Sequence, residues 1–77
     1  MASTFEKDSR DVEQLLSREE FVARLRELAD AIEQGRSFEI NIEGEKVVTP
    51  SDAEYSIEHE RSDSQEELEF QLKWKNT

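Results

Sequence analysis

The sequence predicts an α+β fold: a two-layer β-α-β-β-β-β domain with one helix packed on a single face of a mainly antiparallel sheet. Two observations support this fold class. Apolar residues with a helical period of 3.6 form one stripe between residues 21 and 32, and the segments after it alternate apolar and polar residues with a period of two. Because each such strand has one apolar face, the sheet needs a cover on one side only, which the helix supplies. We expect residues 10–77 to form this domain and residues 1–9 to be a partly ordered N-terminal segment or the start of the first strand.

The length and charge exclude several classes of protein. Seventy-seven residues admit one small domain, and the absence of cysteine excludes disulfides, cysteine-ligated zinc and thiol nucleophiles. Twenty acidic side chains against ten basic ones give a net charge of −10, which repels nucleic-acid phosphates and anionic lipids. No apolar run is long enough to span a membrane, and residues 1–4 lead into charged residues rather than an apolar signal core. We therefore expect a cytoplasmic protein.

The helix is expected to extend from Arg18 to Gln34. Ser17 is a good N-cap residue, and Glu20 three residues later completes a capping box. Gly35 can take the left-handed conformation that ends a helix. Two ion pairs at i, i+4 are expected on the solvent face: Glu20 with Arg24 and Arg26 with Asp30.

Four strands are expected after the helix, at residues 37–43, 46–49, 53–60 and 67–75. Gly44 supplies the positive φ of a tight turn between the first two of them. Pro50 ends the second, because proline cannot donate to a ladder. The last strand is the most regular in the chain, and one of its faces is apolar throughout: Leu68, Phe70, Leu72 and Trp74.

One further strand is expected before the helix, between Thr4 and Leu16. Residues 8–11 interrupt it, so the pattern does not define its ends. Beside the strand that carries Trp74 it would run antiparallel, and we expect it to pair there.

Several motifs, taken in order, resemble the amphi-Trp domain family. They are a capped helix that begins Ser-Arg-Glu-Glu, a Gly-Glu-Lys-Val segment with a nearby proline, and a final amphipathic strand that ends in tryptophan. The matching residues are Ser17, Arg18, Glu19, Glu20, Leu25, Leu28, Ala29, Asp30, Ile32, Gly35, Gly44, Val47, Pro50, Leu68, Phe70, Leu72 and Trp74. The resemblance implies a small single domain of the kind found largely in prokaryotes, many of them halophilic archaea. That family has no assigned activity, so the resemblance implies no catalytic residue, and the interrupted first strand departs from its pattern.

Acidic residues on the polar side of the strands form the candidate interaction surface, together with one aromatic residue. They are Glu39, Glu43, Glu54, Glu58, Glu67, Glu69 and Trp74. Such a face is ordinarily a solvated surface, and a weak, diffuse cation site is the sharper alternative. Trp74 continues an apolar face, which favours core packing, but its position near the strand end leaves one ring edge open for binding.

The residues do not form a pattern typical of a catalytic, cofactor or metal site. His59, the only histidine, alternates onto the face of Tyr55 and Ile57, whereas Glu58 points to the other face. Without a second histidine or a cysteine, a transition-metal site cannot be completed. A small hydrolase or isomerase that uses Tyr55, Glu58 or His59 is therefore the least favoured hypothesis, and we expect no cofactor.

The charge and the fold together predict a non-enzymatic protein-interaction module. We expect a protein partner with a basic surface, no direct nucleic-acid or membrane binding, and a monomer or weak homodimer. The alternative hypothesis is an acidic mimic of nucleic acid that occupies a basic nucleic-acid-binding protein. Such acidity is also typical of proteins from a salt-rich cytoplasm.

Overall fold

The computed structural model describes residues 9–76 and confirms the α+β class. One helix is followed by two antiparallel hairpins, each a sheet of two strands. The elements are α1 (Arg18–Glu33), β1 (Phe38–Ile42), β2 (Glu45–Thr49), β3 (Glu54–Arg61) and β4 (Glu66–Lys73). The bounds of all five lie within two residues of those expected from the sequence.

The segment before the helix is an irregular arm, residues 9–17, which contains no strand. The prediction of a strand between Thr4 and Leu16 is therefore wrong for residues 9–16, and its first part lies outside the described residues. Side chains of the arm instead form hydrogen bonds with the backbone at the end of β1 and in the turn that follows it. An Arg10 Nη2 donates to the carbonyl of Ile42 at 2.6 Å, and the Gln14 Oε1 accepts from the Glu43 amide at 2.8 Å.

Both ends of α1 are capped as the sequence predicts. The Ser17 hydroxyl accepts from the Glu20 amide at 3.2 Å, and the Glu20 carboxylate accepts from the Ser17 amide at 3.0 Å, so the capping box is complete. At the other end Gly35 has a φ of 68°, and the Arg36 amide donates to the Ala31 carbonyl at 2.9 Å in a Schellman motif.

The ion pairing on the helix surface differs from the expected i, i+4 pattern. Arg24 donates from two of its nitrogens to the Glu27 carboxylate, each at 2.9 Å, rather than pairing with Glu20. The Glu20 carboxylate is already used in the capping box, which explains the change of partner.

The first hairpin, β1–β2, closes through a two-residue turn at Glu43 and Gly44. Both residues have positive φ, 48° and 87°, as a type I′ turn requires. The Asn41 side-chain oxygen accepts from the Gly44 amide at 3.1 Å and so supports the turn from within the strand. Gly44 adopts this conformation freely, whereas Glu43 is strained in it.

The second hairpin, β3–β4, does not continue the first as the expected single sheet. A turn joins them, in which the Ala53 amide donates to the Pro50 carbonyl at 3.3 Å. Pro50 has no amide hydrogen to extend a ladder from β2, and the turn directs β3 away from it. Thr49 and Ala53 are buried at this corner between the two hairpins.

The core is much smaller than the two-layer prediction required. Among residues 9–76, Ala31 and Ala53 are the apolar residues that are buried. The helix contacts β1, and Leu28, Phe38, Ile40 and Ile42 are half-buried there. The apolar side chains of β3–β4 are left largely uncovered, because this hairpin projects from the corner instead of extending the sheet beneath the helix.

Candidate interaction surface

The β3–β4 hairpin has two chemically distinct faces, because strand side chains alternate and the register fixes which of them are opposite. We call one the acidic face; it consists of Glu58, Glu60, Glu67 and Glu69, with Ser56 and Gln71 beside them. We call the other the apolar face; it consists of Tyr55, Ile57, Leu68, Phe70 and Leu72.

Two pairs of glutamates oppose each other on the acidic face. Glu58 lies opposite Glu69, and Glu60 lies opposite Glu67. Like charges directly across an antiparallel pair destabilise the hairpin. The acidic face therefore concentrates negative charge where the strand pairing gains nothing from it.

A side-chain network orders the first of these pairs. The Gln71 Nε2 donates to a Glu58 Oε1 and to a Glu69 Oε1, both at 2.9 Å. The Ser56 hydroxyl donates in turn to the Gln71 Oε1 at 3.0 Å, which fixes the orientation of the amide. Both carboxylates are half-buried and held in place before any partner arrives.

The second pair, Glu60 and Glu67, is exposed to solvent. The pKa of Glu67 is raised above its ordinary value, first by a side-chain hydrogen bond with Glu60 and then by the charges of Glu60 and Glu69. Glu13 of the arm adds to the same effect. Together with Arg61, the pair lines a depression of about 240 Å³ beside the loop that joins β3 to β4.

Basic residues of the hairpin do not neutralise the acidic face. His59 Nε2 lies 2.7 Å from Glu66 Oε2, and Arg61 Nη2 lies 3.2 Å from the same oxygen, all on the opposite side of the hairpin. Lys73 stands opposite Glu54 at the far end. Among residues 9–76, the four carboxylates of the acidic face form no ion pair.

The structure brings together some of the residues that the sequence singled out and separates others. Glu58, Glu67 and Glu69 share the acidic face, and Glu54 lies at its far end. Glu39 is on β1, where its carboxylate is 3.8 Å from Lys46 Nζ, and Glu43 is in the turn of that hairpin. These two therefore do not belong to the same surface. Glu60 does belong to it, and strand alternation with Glu58 was the signal that could have added it.

Trp74 lies immediately after the end of β4 and is 37% exposed. By alternation in the sequence it continues the apolar face, but its exposure differs from the core packing that the sequence favours. It lies away from the opposed glutamates. The candidate interaction surface predicted from the sequence is therefore two separate surfaces, one acidic and one aromatic.

The residues of the catalytic hypothesis do not converge. Tyr55 and His59 lie on the apolar side of β3, and Glu58 lies on the acidic side, as the alternation predicts. His59 is bound to Glu66 across the hairpin. Among residues 9–76, the one carboxyl with a raised pKa is that of Glu67, and this residue is exposed. Acid catalysis by a carboxyl ordinarily depends on desolvation.

Within residues 9–76, no group of three or more histidine, aspartate or glutamate side chains is arranged to hold a metal ion. The single helix of this region is too short and too polar to cross a bilayer.

These features define a class of protein: a small acidic α+β domain that carries an exposed amphipathic hairpin. The chain matches the Amphi-Trp domain over residues 4–77 and belongs to that family. Neither a curated protein nor a solved structure was found to be similar to it.

Proposed function

We propose that the protein is a non-enzymatic protein-interaction module whose acidic face binds an extended, basic segment of a partner protein. The proposal rests on the two opposed glutamate pairs, Glu58 with Glu69 and Glu60 with Glu67, whose carboxylates form no ion pair among residues 9–76. Placing cations between such pairs turns a destabilising arrangement into a favourable one.

The arrangement of the carboxylates favours a partner whose basic residues have a regular spacing. Residues on one face of a strand recur about every 6.8 Å, so Glu58 and Glu60 are separated by that spacing, as are Glu67 and Glu69. An extended segment with Lys or Arg at every second residue has the same spacing. The bonds from Gln71 hold one pair in position, which lowers the cost of ordering it on binding.

The first test compares two peptides of the same composition. One alternates lysine with threonine, and the other places the lysines in one block and the threonines in another. Isothermal titration at about 50 mM salt should show tighter binding of the alternating peptide. The affinity should fall as salt is added, because Glu60 and Glu67 are exposed and salt screens their charges. Equal affinity for the two peptides would contradict recognition of the spacing.

The second test uses two variants of equal net charge. One neutralises the acidic face by Glu58→Gln, Glu60→Gln, Glu67→Gln and Glu69→Gln. The control neutralises four exposed carboxylates elsewhere by Glu19→Gln, Asp30→Asn, Glu33→Gln and Asp52→Asn. We expect the first variant to lose at least tenfold in affinity for the alternating peptide and the control to lose less than threefold. Equal losses would mean that net charge, not this face, attracts the peptide.

A nucleic-acid mimic would use the same face but a different partner. In that case the wild-type protein would compete with duplex DNA for a basic DNA-binding protein. The variant neutralised on the acidic face would not compete. Under our proposal, an extended lysine-bearing segment is the better ligand, and the DNA competition is weak.

A further inference from the structure

We propose that the apolar face of the β3–β4 hairpin is the interface of a homodimer, in which it packs against the same face of a second copy. The side chains on this face are among the most exposed apolar residues of the described chain. Ile57 is 65% exposed, Leu68 67% and Phe70 66%. Glu58 and Glu69 on the opposite face are more covered than these three.

An exposed apolar hairpin of this kind requires a cover. A two-stranded hairpin alone is marginally stable in water, and it normally gains its stability from packing of one face. The helix only borders this face: Leu28 and Ile32 form one wall of an open groove of about 350 Å³, and Tyr55, Phe70 and Leu72 form part of the other. The rest of the apolar face remains open to solvent.

The apolar face offers a second copy a continuous surface to bury. Tyr55 is 55% exposed, and Ile57, Leu68 and Phe70 are each about two-thirds exposed. Packing two such faces together removes these side chains of both copies from water.

The charge distribution favours a second copy over a basic partner at this face. With a net charge of −10, two copies repel each other least when they meet at a surface without net acidity. On this side of the hairpin the charged groups are Arg61 and Glu66, which pair at 3.2 Å, and His59 beside them. Packing apolar face on apolar face turns both acidic faces outward.

The same face of a second copy offers five apolar side chains in return, in a self-complementary, two-fold arrangement.

Sedimentation equilibrium of the full chain tests the proposal. We expect a species of twice 9.0 kDa at low micromolar concentration. Phe70→Glu places a charge in the interface and should raise the dimer dissociation constant at least a hundredfold. Leu15→Glu is the matched control, because Leu15 is 88% exposed on the arm, outside the apolar face, and this variant should remain dimeric. A monomeric wild type, or a dimeric Phe70→Glu, would overturn the proposal.

If Phe70→Glu fails to fold, cross-linking tests the same interface without placing a charge in it. The chain has no cysteine, so Ile57→Cys and Glu58→Cys each introduce a single thiol, one on each face. Packed sheets lie about 10 Å apart, so a bis-maleimide of that span should join Ile57→Cys chains at least tenfold more than Glu58→Cys chains. Equal yields, or a cross-linked product only with Glu58→Cys, would reject the interface. The sedimentation experiment changes no residue of the acidic face, so failure of the dimer and failure of the proposed function are distinguishable.

Discussion

Glu60 and Glu67 lie directly opposite each other across β3–β4, and this contact raises the pKa of the Glu67 carboxyl. A folded-state pKa above the unfolded value means that the folded chain binds the proton more tightly. The stability gained from that proton is fully present below the unfolded pKa, and it is lost as the pH rises through the folded pKa. At neutral pH the pair therefore destabilises the hairpin.

Replacing Glu67 by glutamine should raise the melting temperature at pH 7, because the repulsion from Glu60 is removed. Below the ordinary glutamate pKa of about 4.3 the difference should largely disappear, since the Glu67 carboxyl is then protonated in the wild type. Thermal unfolding followed by circular dichroism at pH 7 and at pH 3.5 measures both effects. Glu66→Gln is the control: it removes a carboxylate that pairs with Arg61, so it should not raise the melting temperature. An increase of equal size in both variants would contradict the account.

Ser17→Ala should destabilise the protein by about 1 kcal/mol, the usual cost of losing an N-cap side chain. The Ser17 hydroxyl accepts from the Glu20 amide, and alanine leaves that amide without its partner. Urea unfolding measures the change, with Ser37→Ala as the control for a serine outside the helix. A loss below a few tenths of a kcal/mol for Ser17→Ala would show that the capping box contributes little.

The capping box also predicts a pH dependence of opposite sign to that of Glu67. A hydrogen bond from the Ser17 backbone, followed by one with its side chain, lowers the pKa of Glu20. Its contribution to stability is therefore present above the unfolded pKa and lost as the pH falls through the folded value. In Glu20→Gln this acid-sensitive part should be absent, so its melting temperature should fall less than that of the wild type between pH 7 and pH 3.5. A melting temperature of Glu20→Gln that falls as much as that of the wild type between these pH values would contradict this prediction.

Glu43→Asn should stabilise the first hairpin by about 0.5–1 kcal/mol, because asparagine tolerates the left-handed conformation better than glutamate. Gly44→Ala should have the opposite effect and cost about 1 kcal/mol. A Cβ at Gly44 would meet no atom within 4 Å, so the cost is conformational rather than steric. Urea unfolding measures the free energy of unfolding of both variants. If both variants were stabilised, or both destabilised, the strain could not be assigned to the positive φ of the turn.

Added salt should raise the melting temperature from its value at low millimolar concentrations. A net charge of −10 on a small domain repels itself, and the Debye length falls from about 30 Å at 0.01 M to about 10 Å at 0.1 M. The four-glutamine variant of the acidic face should depend less steeply on salt than the wild type. A flat or falling wild-type curve, measured by scanning calorimetry with sodium chloride, would contradict this prediction.

Local structure was largely predictable from the sequence. Ser17, Glu20 and Gly35 locate both ends of the helix because capping depends on residues next to each other in the chain. Gly44 locates the first turn for the same reason. Strand alternation also assigned His59 and Glu58 to opposite faces of β3, which the register confirms.

The assembly of the elements was not predictable in the same way. Alternation states that a strand has one apolar face, but not what covers that face. The expected single sheet depended on β3 lying beside β2, and the turn at Pro50 and Ala53 prevents it. Glu39 and Glu43 were grouped with the acidic residues of β3–β4 on that assumption. Because the strands form two sheets, these two glutamates lie on a different surface.

The central claim is that the acidic face of β3–β4 is where a basic segment binds. Amide chemical-shift changes during titration of the ¹⁵N-labelled full chain with the alternating lysine–threonine peptide test it most directly. We predict that the largest changes lie at Glu58, Glu60, Glu67, Glu69 and Gln71, with little change along Arg18–Glu33. Changes centred on the helix, or spread evenly over all acidic residues, would contradict the claim.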